Sequence, residues 1–211
     1  MSQLTTLLAL ADSRLPTGSH VHSGGVEEAI TSGLVGDLGT LRAYLIRRVR
    51  SQGLVAASLA AAVHAGTLGI DAADRETDAR TPAPAARAAS RAQGRGLLRL
   101  ARRVWPQYDW SPLGRTPHLA VAAGAAGAAG GLTAEQTALS VVYTTMTGTA
   151  TAAQRLLALD PGDVAALTFE MAGLCDEVAA TAAHEPADLS DPLLDVLAQR
   201  HAERERPLFV S

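Results

Sequence analysis

Residues 116–159 read TPHLAVAAGAAGAAGGLTAEQTALSVVYTTMTGTATAAQRLLAL, and this stretch decides the fold. Two runs within it, Thr116–Ala134 and Gln136–Gln154, carry no charge over 19 residues each, near the ~20 needed to span a bilayer. They are built of Ala, Gly and Thr rather than Leu, Ile and Phe, so insertion into lipid would gain little. Both therefore read as helices buried in a protein core. Thr116 as N-cap with Pro117 at the first helical position opens one helix, which ends at Gly130-Gly131. Thr133-Ala-Glu-Gln136 has the capping-box pattern and opens another, reaching about Leu159. The threonine-rich segment Thr144–Thr151, with Gly148 inside it, predicts a kink or break, since hydroxyls compete for backbone hydrogen bonds. Gly124, Gly127 and Gly130 repeat every three residues, a spacing that lets other helices approach closely.

Outward from this pair the pattern stays helical. Leu4–Ala11 predicts a short helix stopped by Pro16 and Gly18, and a second runs from Gly25 to Gly33. Asp37 or Thr40 caps a third carrying Leu41, Tyr44, Leu45 and Val49 at helical spacing. Gly53 interrupts it before Leu54–Ala65. Thr81-Pro82-Ala83-Pro84 is a linker too short to separate domains, and a long helix follows, halted by Pro106. Asp160-Pro161 opens a helix to about Ala183, and Asp191-Pro192 opens the last. Roughly eight to ten helices result. The composition agrees: of 211 residues, 47% are hydrophobic but only 3% aromatic, and 43 are alanine, which suits closely packed helices. The expectation is an all-α fold, one globular bundle spanning residues 1–211.

All 18 basic residues are arginine. Without lysine there is no Gly-Lys-Ser/Thr phosphate loop and no Schiff-base chemistry. The single cysteine, Cys175, can make neither an intrachain disulfide nor a multi-thiolate zinc site, which suits a reducing cytosol. The start of the chain has no positive export signal. The expected location is cytoplasmic. Charge is segregated: up to Arg115 there are 14 arginines against 9 acids, and beyond it 4 against 12. Opposite poles favour self-association or oppositely charged partners.

The loop from Arg14 to Glu28, RLPTGSHVHSGGVEE, is the most function-like stretch. His20 and His22 form an H-x-H pair that could satisfy loop backbone groups, contact a partner, or bind nickel or zinc with Glu27 or Glu28. Ser23 lies beside them. Arg87, Arg91, Arg95, Arg99 and Arg103 step by four and form one slowly drifting helix face, open to solvent, internal acids or an acidic protein surface. The acidic total and few stacking aromatics speak against nucleic acid. No nucleophile elbow is present.

Leu15-Pro16-x-Gly18 followed by His22-Ser23-Gly24-Gly25-x-Glu27 resembles the UreF family of urease accessory proteins. Gln93-Gly94-Arg95-Gly96-Leu97-Leu98 adds to the resemblance, as do Thr147-Gly148 through Ala152-Ala153-x-Arg155-Leu156-Leu157-x-Leu159, Leu193-Leu194, and the ending Arg-x-x-x-Phe-x-Ser. These motifs span nearly the whole chain, and the wording of the first loop looks most like actinobacterial members. His20 stands where many members have an aromatic, and Pro207 stiffens the tail.

The resemblance implies a cytoplasmic all-α chaperone, not an enzyme and without a cofactor of its own. It forms homodimers and works with a nickel-carrying GTPase of the UreG type and a second accessory protein of the UreD or UreH type. Together they insert nickel into apo-urease, and modulation of GTP turnover is a further role the resemblance implies. Contact with partners is expected from segment 1–24 and tail 204–211, through Arg14, His20, His22, Ser23, Glu27, Glu28, Arg204, Arg206, Leu208 and Phe209, with Arg91 and Arg95 on the basic face. No membrane or nucleic-acid partner is expected. The competing reading is a helical metal-dependent enzyme built on His20 and His22.

Overall fold

A computed structural model describes residues 2–12, 15–16, 22–205 and 207–209. Within them the fold is all-α, an α-helical bundle without strands: ten α-helices of eight residues or more and one of six. They are α1 (Gln3–Leu10), α2 (Val26–Thr31), α3 (Leu38–Arg48), α4 (Leu54–Ala65), α5 (Ile70–Ala79), α6 (Pro84–Val104), α7 (Leu119–Ala129), α8 (Ala134–Leu157), α9 (Pro161–Glu170), α10 (Ala172–Ala182) and α11 (Pro192–Ala202).

Helices α4, α7 and α8 form the centre. α4 packs on both α7 and α8, α6 covers α7, and α10 closes over α8 and α4. The two uncharged runs are thus core helices. Eight of the eleven residues of α7 are buried, as are eight of the twelve in α4. No helix among the described residues is long and apolar enough to cross a membrane.

The glycine stripe of α7 meets three different neighbours. A Cβ on Gly124 would lie 2.5 Å from the Ala60 carbonyl oxygen of α4, and one on Gly130 would lie 2.7 Å from Thr6 of α1. One on Gly127 would strike the Thr137 side chain of α8. The spacing of three is therefore a packing code for close approach.

Thr133 and Gln136 cap α8 reciprocally, at 3.1 and 2.9 Å, as their sequence pattern predicts. The threonines beyond do not break this helix. Thr144, Thr145, Thr147 and Thr149 each return their hydroxyl to the carbonyl four residues back, at 2.8–2.9 Å, which leaves the main-chain ladder intact.

Three boundaries differ from the sequence expectation. α7 starts at Leu119, not after Thr116, because its capping partners come from other helices: the His118 N–H donates to Asp74 at 3.1 Å and the Leu119 N–H to Ser90 at 3.2 Å. Gly53 does not interrupt its helix; Val49–Gly53 widen into a single π-turn joining α3 to α4. The helix after Asp160 divides at Met171. That turn lets Val164 and Leu167 bury in α9 while Cys175, Val178 and Ala182 bury in α10. α5 escapes a reading by apolar period, since half of its residues are charged and only Ala73 and Thr77 are buried.

The charge segregation is partly consumed inside the fold. Arginines from the first half bond acids from the second: Arg42 with Glu170 at 3.6 Å, Arg50 with Glu177 at 3.2 Å, and Arg47 with Asp191. The last is bidentate, at 2.6 and 2.8 Å, and Asp191 also caps α11 through Leu193 N–H at 3.2 Å.

Candidate functional site

Gly24 and Gly25 both sit in the left-handed region, at φ 64° and 84°, which only glycine enters without strain. This double turn launches α2 and drives Glu27 inward. Glu27 is 4% exposed and accepts three hydrogen bonds: His201 Nε2 at 2.7 Å, Leu208 N–H at 2.8 Å and Phe209 N–H at 3.0 Å. Burial alone would raise its pKa. The Leu208 amide, His201 and the Phe209 amide outweigh that and hold the carboxyl below the ordinary glutamate value. Next to it Glu28 receives Arg204 at 2.8 Å. Phe209 is buried, with the Arg155 guanidinium 5.6 Å from its ring centre, a cation–π distance. The C-terminal tail is therefore fastened to α2 within the same chain.

This arrangement places the residues expected at the docking elements. Ser23 and Glu27 are buried, Glu28 is held by Arg204, and Phe209 anchors the tail inward. Leu208 stays 80% exposed, and His22 lines a cavity. Arg14, His20 and Arg206 lie outside the described residues. Among the described residues the carboxylates of Glu27 and Glu28 are bonded by His201, the tail amides and Arg204, an arrangement that gives the alternative metal-dependent enzyme no support.

The arginine stripe divides into two parts. Arg91 bonds Asp74 at 2.9 Å, Asp78 at 2.6 Å and the Thr116 carbonyl at 2.9 Å. Buried His118 joins the same group through Asp78 at 2.9 Å and Ser90 at 3.0 Å. Desolvation pushes His118 below the ordinary histidine value despite the Asp78 bond. Asp74, Asp78 and His118 converge closely enough to hold a metal ion, but the Arg91 guanidinium bridges the two carboxylates. This cluster ties α5, α6 and the start of α7 together. Farther along α6, Arg95, Arg99, Arg102 and Arg103 are exposed and form no ion pair among the described residues. The free basic face is thus Arg95–Arg103, and Arg91 does not belong to it.

Apolar side chains stand out of the surface at Leu4 (65% exposed), Leu8 (63%) and Phe169 (83%). Leu4 and Leu8 lie one turn apart on α1 and present a single face. Cys175 is buried, and burial raises its thiol to about 11, which disfavours the thiolate that a nucleophile needs. Sequence reasoning missed Asp74, Asp78, His118 and His201. Their only local signal is polarity, and they meet through packing of helices distant in the chain.

Comparison with known proteins gives the family of the chain. The UreF family model matches residues 35–172. The chain is 82% identical over 211 residues to the urease accessory protein UreF of Mycobacterium sp. (strain JLS), covering all of both chains. It is 76% identical over 214 residues to that of Mycolicibacterium vanbaalenii and 66% identical over 211 to that of Mycobacterium tuberculosis (strain CDC 1551 / Oshkosh), again covering both completely. An all-α bundle whose helix α2 and tail lock together through Glu27, matched along its whole length by these relatives, belongs to the UreF family of urease accessory proteins.

Proposed function

We propose that this chain is a urease maturation chaperone: a scaffold that joins a nickel-carrying accessory GTPase and a second accessory protein to apo-urease. On this reading it has no catalytic centre of its own, acts in the cytoplasm as a homodimer, and influences GTP hydrolysis by positioning the GTPase. The observation that carries the reading is full-length identity of 66–82% to urease accessory proteins. The surface supports it: an arginine face at Arg95–Arg103 and apolar side chains at Leu4, Leu8, Phe169 and Leu208. Aromatic and aliphatic anchors beside arginine are the usual composition of protein interfaces.

Co-expression of the tagged chain with the GTPase, the second accessory protein and apo-urease tests this reading. Recovery of the partners with the chain supports it, and no partner recovered at low salt contradicts it. The double reversal Arg95→Glu, Arg99→Glu is expected to lower recovery of one partner roughly tenfold, since like charges then face each other. Its urea midpoint should remain unchanged, because neither side chain is ion-paired among the described residues. Undiminished recovery would remove the arginine face from the docking surface.

A further inference from the structure

Helix α9 is apolar on two opposite sides, and the fold uses one of them. Val164 and Leu167 turn inward and are buried, and the helix packs on α8, α3 and α10. Gly162, Ala165, Ala166 and Phe169 follow the same period on the other side, within about 100° of arc, and all four are exposed. Phe169 is 83% exposed, more than any other large apolar side chain among the described residues. A helix apolar on all sides is normally buried, as α4 and α7 are here. The outer stripe of α9 is left uncovered by the described residues.

Its shape suits a second copy of itself. Phe169 stands as a knob on a surface of small side chains. Above Gly162 the space is open: within 4 Å a Cβ there would meet only Oδ1 of Asp160, the N-cap of its own helix, at 2.9 Å. With two copies of α9 antiparallel about a two-fold axis, Ala165 of one lies opposite Ala166 of the other, and Phe169 opposite Gly162. Each ring then fills the notch on the other copy, and the alanines let the helices approach closely. Such an isologous contact is self-complementary by symmetry. A parallel pairing would instead set ring against ring and leave both notches empty.

Charge agrees with the antiparallel arrangement. Asp163 and Glu170 run along one edge of the stripe. Arg42 of α3 stands beside Glu170 at 3.6 Å, with both side chains more than half exposed, and Asp163 has no ion pair among the described residues. The two-fold axis brings the Glu170 end of one copy to the Asp163 end of the other. Arg42 of each copy thus comes beside the other's unpaired Asp163.

We propose that the outer face of α9 is the contact between two copies of this chain, with Phe169 of each seated over Gly162 of the other. The inference rests on the homodimer reading above and locates its surface.

Sedimentation equilibrium of the full chain over roughly 1–300 µM tests it, since contacts smaller than a standard interface bind weakly. Wild type is expected to show a reversible monomer–dimer equilibrium. Phe169→Ala should raise the dimer dissociation constant at least tenfold, because two buried rings are lost per dimer. Its urea midpoint, measured on the monomer, should not fall, since the ring is exposed there. Ala166→Cys, next to the axis, should give a disulfide-linked dimer under mild oxidation. Ala172→Cys, exposed beyond the end of α9, should not. A wild-type monomer throughout this range, a dissociation constant unmoved by Phe169→Ala, or equal cross-linking at the two positions overturns the proposal. A dimer of full strength in Phe169→Ala leaves the homodimer reading intact and removes only this contact. A wild-type monomer that loses an accessory partner on Phe169→Ala would assign the face to that partner and overturn the second copy as its occupant.

Discussion

Gly94→Ala is expected to destabilise the protein by about 2–3 kcal/mol, although the same change in an open helix stabilises by up to ~1 kcal/mol. Gly94 lies in the middle of α6, where the chain before α7 crosses it. A Cβ there would lie 2.7 Å from the His118 carbonyl carbon and closer still to the Pro117 carbonyl oxygen. Both obstacles are backbone, so relief requires α6 and α7 to separate, and the Ser90 and Asp74 bonds that cap α7 would go with them. Gly148→Ala is the control. It also lies inside a helix, but nothing stands within 4 Å of its Cβ position, so it should stabilise by about 0.5–1 kcal/mol. Urea denaturation of the two variants should move the midpoint in opposite directions. Equal effects would mean that α6 and α7 do not approach as described.

Glu27→Gln should cost about 3 kcal/mol and free the tail. The carboxylate faces only donors, His201 and the amides of Leu208 and Phe209. The amide nitrogen of glutamine would oppose one of them and leave it buried and unsatisfied. Tryptic cleavage after Arg204 should accelerate at least tenfold, since its pairing with Glu28 depends on the seated tail. The pH dependence follows from the lowered Glu27 pKa. A carboxylate whose folded pKa lies below its unfolded value contributes fully above the unfolded value, about 4.5. That contribution fades as the pH falls through this value toward the folded one. Wild type should therefore lose stability below about pH 5 more steeply than Glu27→Gln. Parallel pH profiles would show that Glu27 does not hold the tail as a carboxylate.

These two residues also show how far the sequence could be read. Leu41, Tyr44, Leu45 and Val49 all bury as their period requires, and the Thr133–Gln136 box caps α8 as written, because these signals act within one turn of helix. The stripe Gly124, Gly127, Gly130 announced close approach but not its targets on three different helices. The Thr144–Thr151 segment pointed toward a kink, yet hydroxyl bonds to the preceding turn are compatible with a continuous helix. At the site, the double glycine and Glu27 were visible as an unusual loop. That Glu27 would reach His201, 174 positions away, depends on the packing of α11 beside α2, which no local pattern encodes. Arg91 and Arg95 looked equivalent by period. They are separated by α5, whose charged sequence hid both the helix and the two aspartates it sets against Arg91.

The central claim is that this chain serves the maturation of urease, and the most direct measurement is the nickel content and specific activity of urease purified from cells with and without it. Urease protein is followed in parallel. The account predicts intact urease that is nickel-poor and inactive when the chain is absent, with both properties restored by returning the gene. Fully metallated, active urease in its absence would contradict the claim.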